Sequence, residues 1–161
     1  MVKQMLILIG PQGAGNHLWS KIFSLHPEVY GWKTLINNYW EAHRYAEPFA
    51  KYWRDPELLT EFDWTQSDYY FTSISVPLGI GNAMWAPNVD LFIRTLMQMG
   101  INTQLVICGR DQNILKNQQS RLRGEYTTPM LMKEIGNISI SYVFVSYELL
   151  QLYRRDYLKT L

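Results

Sequence analysis

Four short runs are dense in aliphatic, β-branched or aromatic residues and are bounded by turn-forming positions: 5–9 (MLILI), 70–76 (YFTSISV), 103–108 (TQLVIC) and 141–145 (SYVFV). Each is followed by a segment with helical spacing, so the pattern predicts buried strands alternating with helices. Strands that are almost continuously apolar, separated by helices, imply a mainly parallel sheet with helices on both faces, a three-layer α/β architecture.

The first helix is expected from about Asn16 to Leu25, with Leu18, Ile22, Phe23 and Leu25 on one side and Pro27 as its stop. A second is expected over about 36–53. A third follows Pro87 and Asn88, a good cap, and carries Leu91, Phe92, Leu96 and Met97 up to Gly100. A fourth follows Asp111 and the last fills 148–159. The stretch between the first two predicted strands holds Trp32, Trp40, Trp53 and Trp64, and it reads as an aromatic-rich insertion at about 30–69 over the top of the sheet. Gly79, Gly81 and Asn82 mark a further loop to which no role is assigned. With 161 residues, and no repeat, linker or low-complexity tract, a single domain spanning 1–161 is expected.

Composition narrows the function classes. The formal net charge is +1, which lacks the basic footprint of a nucleic-acid partner. Residues 1–90 carry nine acids and six bases whereas residues 91–161 carry five acids and nine bases, so an anion site is placed in the C-terminal half. Cys108 is the sole cysteine, which excludes an internal disulfide and a cysteine metal cage, and no metal is expected. No run approaches the ~20 apolar residues of a membrane span, so the expectation is a soluble, unprocessed, cytoplasmic protein without a membrane partner.

The first strand runs into GPQGAGNHLW, with Gly10, Gly13 and Gly15 in the turn before a helix. Glycines there permit positive φ and a close ligand approach, and the free N–H groups of the helix start attract an anion. A tight strand-to-helix turn without a ligand is the plainer alternative. Gly10 and Gly15 also have the spacing of a nucleotide-binding P-loop, but Asn16 and His17 stand where that motif has Lys and Ser or Thr. The phosphate-reaching cation and the magnesium-holding hydroxyl are both missing, which argues against a small P-loop nucleotide kinase or NTPase.

GPQGAGNHLWSKIFSLHPEVYG resembles the start of the sulfotransferase family, whose phosphosulfate loop precedes a helix ending in Leu-x-x-His-Pro; Leu25, His26 and Pro27 stand at that ending, with His26 and Pro27 matching its His-Pro. QLVICGRDQNILKNQQSRLRG resembles the family's strand that ends in an arginine, matched here by Arg110 and Asp111. FVSYELL, residues 144–150, resembles its later Val-x-Tyr-Glu-Asp-Leu signature. The three segments cover about a third of the chain in family order. The resemblance implies a P-loop-like fold and the sulfate donor PAPS, or its product adenosine 3′,5′-bisphosphate, held by Gly10, Gln12, Gly13, Ala14, Gly15 and Asn16. It also implies a 3′-phosphate held by Arg110 with Asn117 or Gln118, the latter two standing where the family has a hydroxyl. The acceptor would be a small molecule or carbohydrate. The chain departs from the family in Gln12, where the loop has Lys or Arg, and in Ser75, where one branch has its catalytic histidine.

Sulfuryl transfer needs a base for the acceptor proton. His17 at the helix start is one candidate, and a turn histidine is the alternative reading. Glu41 and His43 are the others, resembling the Glu-x-His stretch of heparan-type enzymes, against a solvated helix face. Arg110 at a strand end is read as an anion contact, against a surface ion pair. Three functions follow: a PAPS-dependent sulfotransferase, a nucleotide-binding relative that has lost transfer, and the P-loop kinase or NTPase.

Overall fold

The structure, a computed structural model, describes residues 2–80 and 83–161. Its main sheet has five parallel strands: β1 (Gln4–Gly10), β2 (Val29–Tyr30), β3 (Tyr69–Ser75), β6 (Asn102–Gly109) and β7 (Tyr142–Ser146), in the order β2-β3-β1-β6-β7. All four predicted strands are present. The short β2 carries no strand signal of its own and is fixed by pairing beside β3. A separate hairpin, β4 (Leu78–Ile80) with β5 (Ala83–Trp85), follows β3; Gly81 and Asn82 between them lie outside the described residues.

Alternation along the strands divides the core into two. Met5, Ile7 and Ile9 of β1, Tyr70 and Ile74 of β3, and Leu105 and Ile107 of β6 face one layer. That layer contains α3 (Val89–Gln98), α5 (Thr128–Ile135) and the aromatic segment, which contributes Phe49, Trp53 and Leu59. Trp53 stacks on Phe92 at 3.9 Å between ring centroids and donates through Nε1 to Thr72 Oγ1. On the opposite face Leu8, Phe71, Val106, Cys108 and Val145 meet α1 (Asn16–Ser24), α4 (Gln112–Arg123) and α6 (Tyr147–Leu158) through Trp19, Leu115 and Leu150. The three-layer α/β arrangement is therefore present.

The expected helix over 36–53 does not form. Its place is taken by a 3₁₀ turn (Lys33–Ile36) and α2 (His43–Ala46), with a second 3₁₀ turn (Pro56–Glu61) further on. Pro48 is the physical reason: a residue before proline is pushed out of the helical region, and Glu47 is extended at φ −73°, ψ 121°. The first helix also differs from its expected face, because Trp19 is fully buried whereas Leu25 is exposed. α5 was not expected, its eight residues being a short segment between two predicted elements.

Candidate functional site

β1 delivers its last residue, Gly10, to the carboxyl edge of the sheet, where α/β folds place ligands. Gly13 and Gly15 both take positive φ, at 87° and 93°. A Cβ on Gly15 would lie 2.5 Å from the Tyr147 ring, and one on Gly10 would meet Asn16 Oδ1 at 2.3 Å. Glycine is thus required by conformation and by space at Gly15, and by space at Gly10.

The carbonyls of the loop are tied from behind. Asn16 Nδ2 donates to Gly10 O at 3.2 Å and to Pro11 O at 3.5 Å. Gln119 Nε2 donates to Gln12 O at 2.7 Å, Arg110 Nη1 to Gly13 O at 2.8 Å, and the Cys108 thiol to Ala14 O at 3.0 Å. In a trans peptide the N–H points opposite to the preceding carbonyl, so the Gly13 and Gly15 N–H groups are turned away from Gln119 and Cys108. Neither has an acceptor among the described residues. No side chain caps α1, and the N–H groups of Asn16 and His17 in its first turn lack intrahelical acceptors. The result is a cluster of unpaired amides at the positive end of a helix, a setting for an oxyanion.

Two recesses flank the loop. A cavity of about 280 Å³ is lined by Gln12, Gly13, Asn16 and His17, by Ser20 and Trp32, and by Ser73, Ser75 and His43 from the neighbouring strand and segment. Among the described residues no Lys or Arg lines it. An open groove of about 510 Å³ runs along α4 between Arg110, Ile114, Asn117, Gln118 and Arg121. Gln118 Oε1 accepts from Arg110 Nη1 at 3.1 Å and lies under Gly13, which joins groove to loop.

The expected site residues separate into distinct places. Gly10, Gln12, Gly13, Ala14, Gly15 and Asn16 form the loop, with Asn16 also donating to Ser75 Oγ at 2.7 Å. Gln12 is buried, and its Oε1 has no hydrogen-bond partner among the described residues. Arg110 reaches the loop edge, but its guanidinium is engaged with Gly13 O, rests 4.6 Å over the Tyr147 ring, and lies 3.9 Å from Glu148. The alternative to an anion contact, a surface ion pair with Asp111 or Glu125, is not found among the described residues, where the nearby carboxylate is that of Glu148. Asn117 and Gln118 line the groove with Arg110.

His17 stands on the first turn of α1 in the wall of the cavity, its Nε2 3.4 Å from Glu41 O. A carbonyl can only accept, so Nε2 carries the proton and Nδ1 keeps its lone pair. Burial lowers the His17 pKa, which keeps the ring neutral. His43 lies across Trp32, with ring centroids 5.3 Å from it against 5.0 Å for His17. His43 Nε2 donates to Ser73 O, while Nδ1 is sealed from solvent without a partner. Burial depresses its pKa to about 4. Glu41 meets His17 through its backbone oxygen only; its carboxylate does not line the cavity. Of the three candidate bases, His17 alone lines the cavity and keeps a ring nitrogen that is neither hydrogen-bonded nor sealed from solvent among the described residues.

The chain matches no family model, no curated protein and no solved structure. The site therefore has to be read from its own chemistry. Gln119, Ser20 and Ser73 belong to it without any sequence motif. Ser20 and Ser73 hydrogen-bond each other at 2.8 Å beneath the cavity, and serines inside an apolar strand and helix were the available signal for them.

Proposed function

We propose that this chain is a sulfotransferase-like protein that binds PAPS across the glycine loop and passes its sulfuryl group to a hydroxyl or amine acceptor in the adjoining cavity. The observation that carries the reading is the loop whose carbonyls are pinned backward, leaving unpaired amides beside a neutral histidine on one side and an arginine-lined groove on the other. PAPS would supply a sulfur bonded to a good phosphate leaving group. The Gly13, Gly15, Asn16 and His17 amides would hold the oxyanion released when that S–O bond breaks, the role of preorganised donors. Arg110, Asn117 and Gln118, with Arg121, would hold the 3′-phosphate in the groove. His17 Nδ1 takes the proton from the acceptor as its oxygen or nitrogen bonds to sulfur.

Gln12 leaves the loop without the cation such a donor normally meets, and this favours the second reading, a relative that binds the nucleotide without transfer. The deciding experiment measures binding of adenosine 3′,5′-bisphosphate, adenosine monophosphate and magnesium ATP, followed by transfer from PAPS to a panel of acceptors by wild type and His17→Gln. Tight bisphosphate binding with His17-dependent transfer supports the enzyme. Binding without transfer supports the inactive relative. A preference for magnesium ATP would overturn both in favour of a kinase or NTPase.

A further inference from the structure

Gly13 has no side chain and a φ of 87°, so the peptide joining Gln12 to Gly13 has little steric reason to keep one orientation. Rotated, it would turn a carbonyl oxygen toward the ligand side and withdraw the Gly13 N–H. What fixes it is a buried carboxamide on α4. Gln119 is 2% exposed; its Nε2 donates to Gln12 O at 2.7 Å, the shortest of the ties on the loop carbonyls. Its Oε1 accepts from Thr127 N at 2.9 Å and from Thr128 N and Thr128 Oγ1, both at 3.2 Å. One side chain thus joins the loop, α4 and the start of α5. Both of its ends are used, and turning it over would lose the bonds to Gln12 O, Thr127 N and Thr128 N. Arg110 holds the next carbonyl, but it is partly exposed and shared with Gln118 and Tyr147, which a ligand in the groove would disturb.

We propose that Gln119 is the positioning residue that fixes the Gln12 to Gly13 peptide and so turns the loop's amides to the anion. This rests on the nucleotide-binding reading above, and the test separates the two. The amide shift and amide–α couplings of Gly13, by NMR of the full chain without ligand, read the orientation of the peptide; titration with adenosine 3′,5′-bisphosphate reads affinity. Gln119→Met should move the Gly13 couplings toward those of a peptide averaging between two orientations and weaken the bisphosphate on the order of tenfold, the scale of one lost hydrogen bond to a preorganised site. Thr128→Val, which removes only a contact on the α5 side, should leave the couplings unchanged and the affinity within about twofold of wild type, since the donor to Gln12 O is kept. Should Gln119→Met fail to fold, Gln119→Asn, whose carboxamide is drawn back from Gln12 O by one methylene, is read in the same way. Unchanged Gly13 couplings overturn the role of Gln119. Averaged couplings in the variant of a protein whose wild type does not bind the bisphosphate overturn the nucleotide reading and uphold the positioning.

Discussion

Glu47 is a carboxyl with no exposed side-chain surface, and His43 is set against it, with Nε2 3.9 Å from its Oε2. Burial pushes the Glu47 pKa up to about 8 from 4.5, and pushes His43 down to about 4 from 6.5, so both prefer to be neutral inside. The 3.9 Å spacing is long for an ion pair, and His43 Nε2 already serves Ser73 O, which supports the neutral description. Because its folded pKa is raised, the stability linked to Glu47 is complete below pH 4.5 and is lost as pH rises toward 8. The stability linked to His43 runs the other way, complete above 6.5 and lost as pH falls toward 4. Glu47→Gln should therefore gain on wild type by more than ~1 kcal/mol between pH 5 and pH 8, since one unit of pKa displacement is worth about that much. Urea unfolding at the two pH values reads it, and an equal difference at both would remove burial of an ionisable Glu47 as the cause. At Gly15, a Cβ would meet both a φ of 93° and the Tyr147 ring, so Gly15→Ala should cost about 1–3 kcal/mol in the same assay. A loss below ~0.5 kcal/mol, the scale of an ordinary surface change, would show that Tyr147 yields.

The helix that carries Gln118 and Gln119 begins at Asp111, whose carboxylate accepts from Asn113 N at 2.9 Å and Ile114 N at 3.0 Å. α3 begins at Asn88, whose Oδ1 accepts from Leu91 N at 2.9 Å. Asp111→Ala and Asn88→Ala should each cost ~1 kcal/mol of stability, the usual worth of a cap. They should differ in binding, because α4 ties the loop through Gln119 and α3 does not: Asp111→Ala should weaken adenosine 3′,5′-bisphosphate while Asn88→Ala leaves it unchanged. Equal effects on binding would mean that the ligand senses global stability rather than α4. These caps were legible in the sequence, as were four strands, because each rests on a local pattern: an Asn or Asp before a periodic run, or a short apolar run between turns. The glycine loop was legible for the same reason. The ties behind it were not, since Gln119 reaches Gln12 across 107 positions and a glutamine on a polar helix carries no sign of burial. The helix expected over 36–53 failed because Pro48 and long-range packing of Trp53 on Phe92 decided the backbone.

At the carboxyl edge of the sheet the glycine loop lies between a cavity lined by none of the described Lys, Arg, Asp or Glu residues and a groove holding Arg110 and Arg121. An anionic ligand is thus drawn toward α4, while the loop itself offers amides alone. Gln12 is buried at the junction, its Nε2 only 3.9 Å from Met84 Sδ and its Oε1 unpaired. A lysine there would give up little hydrogen bonding but would place a charge where water is scarce, so Gln12→Lys should lower the unfolding temperature of the free protein. With adenosine 3′,5′-bisphosphate present the same charge gains a phosphate partner, and binding should tighten by ~1–2 kcal/mol, the scale of a hydrogen bond to a charged group. Ligand that binds only the folded chain stabilises it by mass action, so the variant's ligand-induced rise in unfolding temperature should exceed that of wild type. The excess should shrink between low and high salt, because a site open to the groove is partly screened. Thermal unfolding of both proteins, with and without the bisphosphate at two salt concentrations, measures all three quantities together. An equal ligand-induced rise in wild type and variant would place the phosphate away from Gln12, and the loop would then be a strand-to-helix turn with no anion to hold.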